Sequence, residues 1–170
     1  MKFEIDVSGN DLFGPKYTIC IASKEKVDGK SIIRGYKFNE DVKRVLIERW
    51  KNNEYRYVYD EKEKKRGLFK VRLYCIVLYY LFRSLETKEI LSLTICRDFK
   101  GRESTIRQNL KFLLEDKGGM KIGSPLFQRL PVSPLGHWYA LTMARDVENR
   151  LDIYVDISLE DIEKFLRKRK

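Results

Sequence analysis

Histidine occurs once in this chain of 170 residues, at His137, which excludes any site built from several imidazoles. Cysteine occurs three times, at Cys20, Cys75 and Cys96. These lie far apart within apolar stretches, as small buried hydrophobes do, without the close pairing of a zinc site or a disulfide framework. No apolar run is long. The longest, Leu73 to Phe82, has ten residues, about half of what a bilayer-crossing helix needs, so it is expected to be a buried element and no membrane partner is expected. No hydrophobic leader follows Met1, and a cytoplasmic location is the expectation. Neither G-x-G-x-x-G nor G-x-x-x-x-G-K-S/T is present, which excludes the usual glycine-rich phosphate cradles. Glutamine is confined to Gln108 and Gln128.

Charge is abundant and unbalanced. Lys and Arg number 35 against 25 Asp and Glu, giving a net charge of +10, a field that draws polyanions, nucleic acid foremost. At this length the chain forms one domain, residues 1–170, able to bury about 70% of its unfolded surface.

The first ten residues organise the rest. Phe3, Ile5 and Val7 alternate with Lys2, Glu4 and Asp6, the period of a strand with one face on a core, and Ser8-Gly9-Asn10 ends it as a turn. Asp6 therefore sits at a strand end, where a carboxylate must be hydrated, paired or bound to a cation. Tyr17 to Ala22 and Ser31 to Phe38 read as two further strands around a charged turn with Asp28-Gly29 at its tip, completing an antiparallel meander. Asn39 is placed to cap a helix from Glu40 to Lys51. Tyr55 to Tyr59 reads as an edge strand or an extended arm, and Asp60 to Arg66 as a solvated charge run or helix entry.

Gly67 to Leu85 is apolar on nearly every side and is expected to be a helix lying across the sheet. Ile90 to Cys96 reads as a fourth strand buried on both faces, with Arg97-Asp98 at its end. Arg102 to Glu115 is expected to be an amphipathic helix, Met120 to Ile122 a short fifth strand, and His137 to Arg150 another helix. Gly123 to Pro134 holds three of the four prolines and reads as irregular. A final helix is capped at Ser158 and ends in a basic tail. The expected fold class is α/β, a mixed five-stranded sheet, its first three strands antiparallel, flanked by helices.

In such a sheet strands one and four are neighbours, which would bring Asp6 and Asp98 to one edge. Two carboxylates held a few ångströms apart repel, and a divalent cation relieves the repulsion. Pairs of such ions stabilise attack on phosphodiesters in many enzymes. Arg97, Lys100, Arg102 and Arg107 follow close by, where phosphates would lie, although solvated helix faces carry the same residues. Asp6 is also placed to hydrogen-bond the following turn, Asp98 to cap the next helix, and His137 to be a satisfied core residue.

The arrangement resembles the ribonuclease H-like superfamily, which includes ribonucleases H, resolvases and the Piwi domain of Argonautes. Ile5-Asp6-Val7-Ser8-Gly9 and Leu93-Thr94-Ile95-Cys96-Arg97-Asp98 look like its first and third acid positions, and Pro134 to Arg145 looks like the Piwi segment preceding the final metal ligand. The resemblance implies a metal-dependent nuclease using Mg²⁺ or Mn²⁺ on Asp6 and Asp98, with water as the nucleophile and nucleic acid as the partner. Two departures are visible. Gly67, Leu68 and Phe69 stand where the family places a glutamate at the start of its first core helix, with Glu61 and Glu63 only in the charge run. Leu141 stands at the last ligand position, with His137 and Asp146 as substitutes. The alternatives are a binding-only relative of the same fold and an interaction protein with no nucleic-acid role.

Overall fold

The computed structural model describes residues 1–60, 67–130 and 134–168, so the charge run from 61 to 66, with Glu61 and Glu63, and the tail positions 169 and 170 lie outside the described residues. Strand β1 (Lys2–Ser8) pairs antiparallel with β2 (Thr18–Val27) and parallel with β4 (Ser92–Ile95). β2 pairs antiparallel with β3 (Lys30–Lys37), and β4 pairs parallel with β5 (Leu126–Phe127), so the sheet runs β3-β2-β1-β4-β5. This is the expected mixed five-stranded α/β sheet, with β1 at its centre. The β2–β3 turn is Asp28-Gly29, both at positive φ, 51° and 78°, the two left-handed residues that match a hairpin's twist.

Helix α1 (Glu40–Lys51) begins where Asn39 accepts the Val42 N–H at 2.7 Å. Helix α2 (Leu68–Arg83) is buried from Phe69 through Phe82 and packs on the sheet face carrying Phe3, Ile5, Leu93 and Ile95. Helix α3 (Glu103–Leu110) continues as a wider π-helical stretch over Lys111–Lys117 and covers the far side of α2. It stops at Gly118, where a Cβ would sit 2.7 Å from the Leu114 carbonyl oxygen. Helix α4 (Leu135–Arg145) lies on the opposite sheet face, across β1, β2 and β3. Its small core comprises Cys20, Ala22, Ile33, Ala140, Met143 and Ile153. The last helix, α5 (Leu159–Glu163), opens on a reciprocal pair in which Ser158 Oγ accepts the Asp161 N–H and the Asp161 carboxylate accepts the Ser158 N–H.

Five expectations are corrected. The last helix stops at Glu163, short of the basic tail in which it was expected to end. The fifth strand is Leu126–Phe127; Ile122 makes only a single bridge, to Leu91. Pro125 has no N–H to donate, so the ladder begins just after it, inside the stretch read as irregular. β4 is shorter than Ile90 to Cys96 and is not buried on both faces: Leu93 and Ile95 are, but Ser92 is exposed and Thr94 only half-buried, because α4 leaves that side of β4 uncovered. α4 ends at Arg145, since the Asp146 carboxylate accepts the Arg150 and Leu151 N–H groups and turns the chain. Tyr55 to Tyr59 is no edge strand of the sheet. Tyr55 and Tyr57 pack on Phe69, and Tyr59 on Trp50.

The three cysteines are unpaired, with Cys20 and Cys75 buried and Cys96 half-buried. Among the described residues no helix is long and apolar enough to cross a membrane.

Glu163 ties the ends of this arrangement together. It is buried and accepts from Tyr55, Arg49 and Arg167. Burial pushes its carboxyl up, but those three hydrogen bonds outweigh it and the group titrates below the usual glutamate range. A depressed acid stabilises the fold fully above its unfolded pKa of about 4.3 and loses that contribution as pH falls through the folded value. Glu163→Gln is therefore expected to cost about 2 kcal/mol at pH 7 in urea unfolding, with the gap from wild type shrinking below about pH 4. A gap independent of pH would show that the charge at Glu163 does not matter.

Candidate functional site

The parallel pairing of β1 with β4 builds the site. Ile5 faces Ile95, and the Cys96 N–H donates to the Ile5 carbonyl at 3.0 Å, so Asp6 and Cys96 are the next residues on neighbouring strands that run the same way. Alternation sends both toward the α4 face, away from the α2 core. The Asp98 N–H closes a tight turn onto the Cys96 carbonyl at 3.0 Å, which brings its carboxylate back to the strand ends. One ligand atom from each of Asp6, Cys96 and Asp98 lies within 4.8 Å of the others.

Asp6 is only 3% exposed, so its carboxylate needs partners. His137 supplies one, with Nδ1 2.7 Å from Asp6 Oδ2. The first turn of α4 packs directly on β1 here: a Cβ at Gly136 would be in van der Waals contact with Glu4, 3.4 Å from its Cβ and 3.5 Å from its carbonyl oxygen. The Cys96 thiol also donates to Asp6. Burial first, then the negative charges of Asp98 and Asp6, push that thiol up to about 12. At neutral pH Cys96 is thus a thiol donor, a poor nucleophile, which removes cysteine catalysis as a reading of this cluster.

Beside these acids is a cavity of about 260 Å³ walled by Asn10, Asp11, Tyr17, Arg97, Asp98 and Phe99 among others. Burial first, then Asp98, Asp11 and Asp6, raise the Tyr17 phenol well above its ordinary value. Asp11 is held by Lys70, whose Nζ lies 2.8 Å from both carboxylate oxygens. Lys70 comes from the first turn of α2, which carries no acid, and is only 7% exposed.

The structure brings together Asp6, Asp98 and His137 of the residues singled out in the sequence. Asp98 does not cap α3, whose cap position is Arg102. Asp146 is committed elsewhere, to its own turn and to the Tyr154 hydroxyl at 3.0 Å. Of the four basic residues, Arg97 is exposed at the cavity wall with Nε donating to the Phe127 carbonyl at 3.2 Å. Lys100 is exposed in the turn before α3, and Arg102 is half-buried at its start. Arg107 clamps β5, donating to the Pro125 carbonyl at 2.9 Å and lying 4.8 Å above the Phe127 ring. Sequence reasoning missed Cys96, Asp11 and Lys70. The first had a signal, since it sits two residues before Asp98; the other two meet only through the fold.

The Asp6 and Asp98 carboxylates are close enough together to share one ion, with the Cys96 thiol beside them.

The Lys70–Asp11 pair gives a direct check on how the loop after β1 is held. A double-mutant cycle with Lys70→Met and Asp11→Asn, read by urea unfolding, is expected to return a coupling of about 1–3 kcal/mol. Additive effects within about 0.5 kcal/mol would mean the pair does not anchor the loop.

No protein-family model matches this chain, and no curated protein or solved structure matches it either.

Proposed function

We propose that this protein is a divalent-metal-dependent nuclease with a ribonuclease H-like core. The observation that carries the reading is the convergence of Asp6, Cys96 and Asp98 within 4.8 Å at the ends of adjacent parallel strands, with His137 bound to Asp6, in a chain of net charge +10. A cation on Asp6 and Asp98, Mn²⁺ or Mg²⁺, would supply Lewis-acid activation of water and neutralise phosphate charge. Asp6 orients His137: with Nδ1–H donating to the carboxylate, Nε2 carries the lone pair, and the side chain is 56% exposed. It is placed to take a proton from an attacking water or return one to the leaving oxygen. Arg97 lines the cavity beside Asp98 and would meet a phosphate there, with Lys100 and Arg102 following it in the chain; Arg107 acts through β5.

A second reading, a binding module that does not cleave, is favoured by Lys70. The first turn of α2, where the ribonuclease H-like pattern has an acid, carries no carboxylate and presents this cation, bound to Asp11.

The test is cleavage of labelled single-stranded, duplex, hybrid and branched nucleic acids in Mn²⁺. Wild type is expected to cut at least one of them, with Asp6→Asn and Asp98→Asn each losing about 100-fold or more and His137→Ala about 10²-fold. Salt-sensitive binding without cleavage by any form would retire the enzyme and leave the binding module. Cleavage unchanged in both Asn variants would place the chemistry elsewhere.

A further inference from the structure

Resting on the nucleic-acid reading above, we infer that the outer face of α4 is a single-strand track, with Trp138 as a base-stacking platform and Lys16 and Arg145 as phosphate contacts. α4 buries Gly136, Ala140, Met143 and Ala144 against the sheet, which turns Trp138, Leu141 and Arg145, spaced three and four residues apart, to solvent. Trp138 is 60% exposed, the larger part of an indole left in water beside His137, the residue bound to Asp6. Along the helix these three span about 10 Å, a continuous strip leading away from the acids.

Across from Leu141 and Arg145 stands the loop after β1, and between them runs a groove walled by Asn10, Pro15 and Lys16 on one side and Leu141, Ala144 and Arg145 on the other. Its charge complements a phosphate backbone. Lys16 and Arg145 are exposed, and among the described residues neither has an ion-pair partner. The acid in the wall, Asp11, is already neutralised by Lys70. An exposed aromatic with flanking cations and an apolar wall is what an unpaired strand requires: a ring for the base and positive charge for the phosphates. A duplex keeps its bases stacked inside and offers this indole no partner.

The chain carries its own probe. It has two tryptophans, and Trp50 is 5% exposed and stacked 4.4 Å from Phe69, so only Trp138 can report a ligand directly. The experiment titrates the full chain with oligothymidylate in EDTA, reading tryptophan emission and, with a labelled oligonucleotide, anisotropy. Oligothymidylate is expected to quench wild-type emission and to bind Trp138→Ala roughly tenfold more weakly. Trp138→Phe should retain most of the affinity while losing the quench. Lys16→Ala and Arg145→Ala should each reduce the salt dependence by about one phosphate contact. Binding by wild type without a quench, and equal affinity in Trp138→Ala, overturns the track and leaves the nucleic-acid reading standing. A quench by duplex but not by oligothymidylate overturns the single-strand assignment. Failure of every nucleic acid to bind at low salt overturns the track together with the reading on which it rests.

Discussion

Helix α2 cannot be left in water. From Phe69 to Phe82 every residue is buried, so the sheet, α3 and the C-terminal segment must each cover a side of it, and the rest of the chain is arranged to do so. Its two buried cations are handled separately. Lys70 is paired with Asp11, and Arg72 donates to Asn109 and lies 5.1 Å from the Phe112 ring, with Nε left without a partner among the described residues. The wider helical turns over Lys111–Lys117 follow directly after Leu110, where α3 packs along α2.

Covering α2 with the sheet fixes which face is left for chemistry. The core face of β1 takes Phe3, Ile5 and Val7, so Glu4 and Asp6 are turned toward α4. Glu4 is held by Lys24 at 3.3 Å, and Asp6 by His137 and Cys96. α4 covers β1 to β3 and leaves β4 open, which is why the strand ends at Cys96 and Asp98 remain within reach of solvent while Asp6 is nearly closed off.

Much of this was legible because it is local. The Asp28-Gly29 tip, Asn39 before α1 and the Ser158–Asp161 pair are signals contained in a few consecutive residues, and each appears in the structure as read, whereas the alternation in β1 marks the strand but not that its second face, with Glu4 and Asp6, is buried too. The apolar composition of α2 was equally plain. What could not be read depended on partners distant in sequence or on one backbone atom. β5 begins after Pro125 because that residue lacks a donor, and α4 stops at Arg145 because Asp146 captures two N–H groups downstream. Asp6 and Asp98 could be suspected from their places at strand ends, and their 4.8 Å neighbourhood follows from the β1–β4 register. Lys70 meeting Asp11 is a contact across 59 positions that no periodicity announces.

The parallel pairing of β1 with β4 also sets an order of events. β2 and β3 are joined by a two-residue turn and can pair as soon as both exist, whereas β1 gains its second neighbour only when the chain has been made through Ile95, and β5 follows through Phe127. During synthesis half of the central strand's hydrogen-bonding edge is therefore exposed until late, and contacts this distant in sequence are slow to close. The acid cluster is assembled by that same late step, so an unfinished chain carries Asp6 without the residues that surround it in the folded protein.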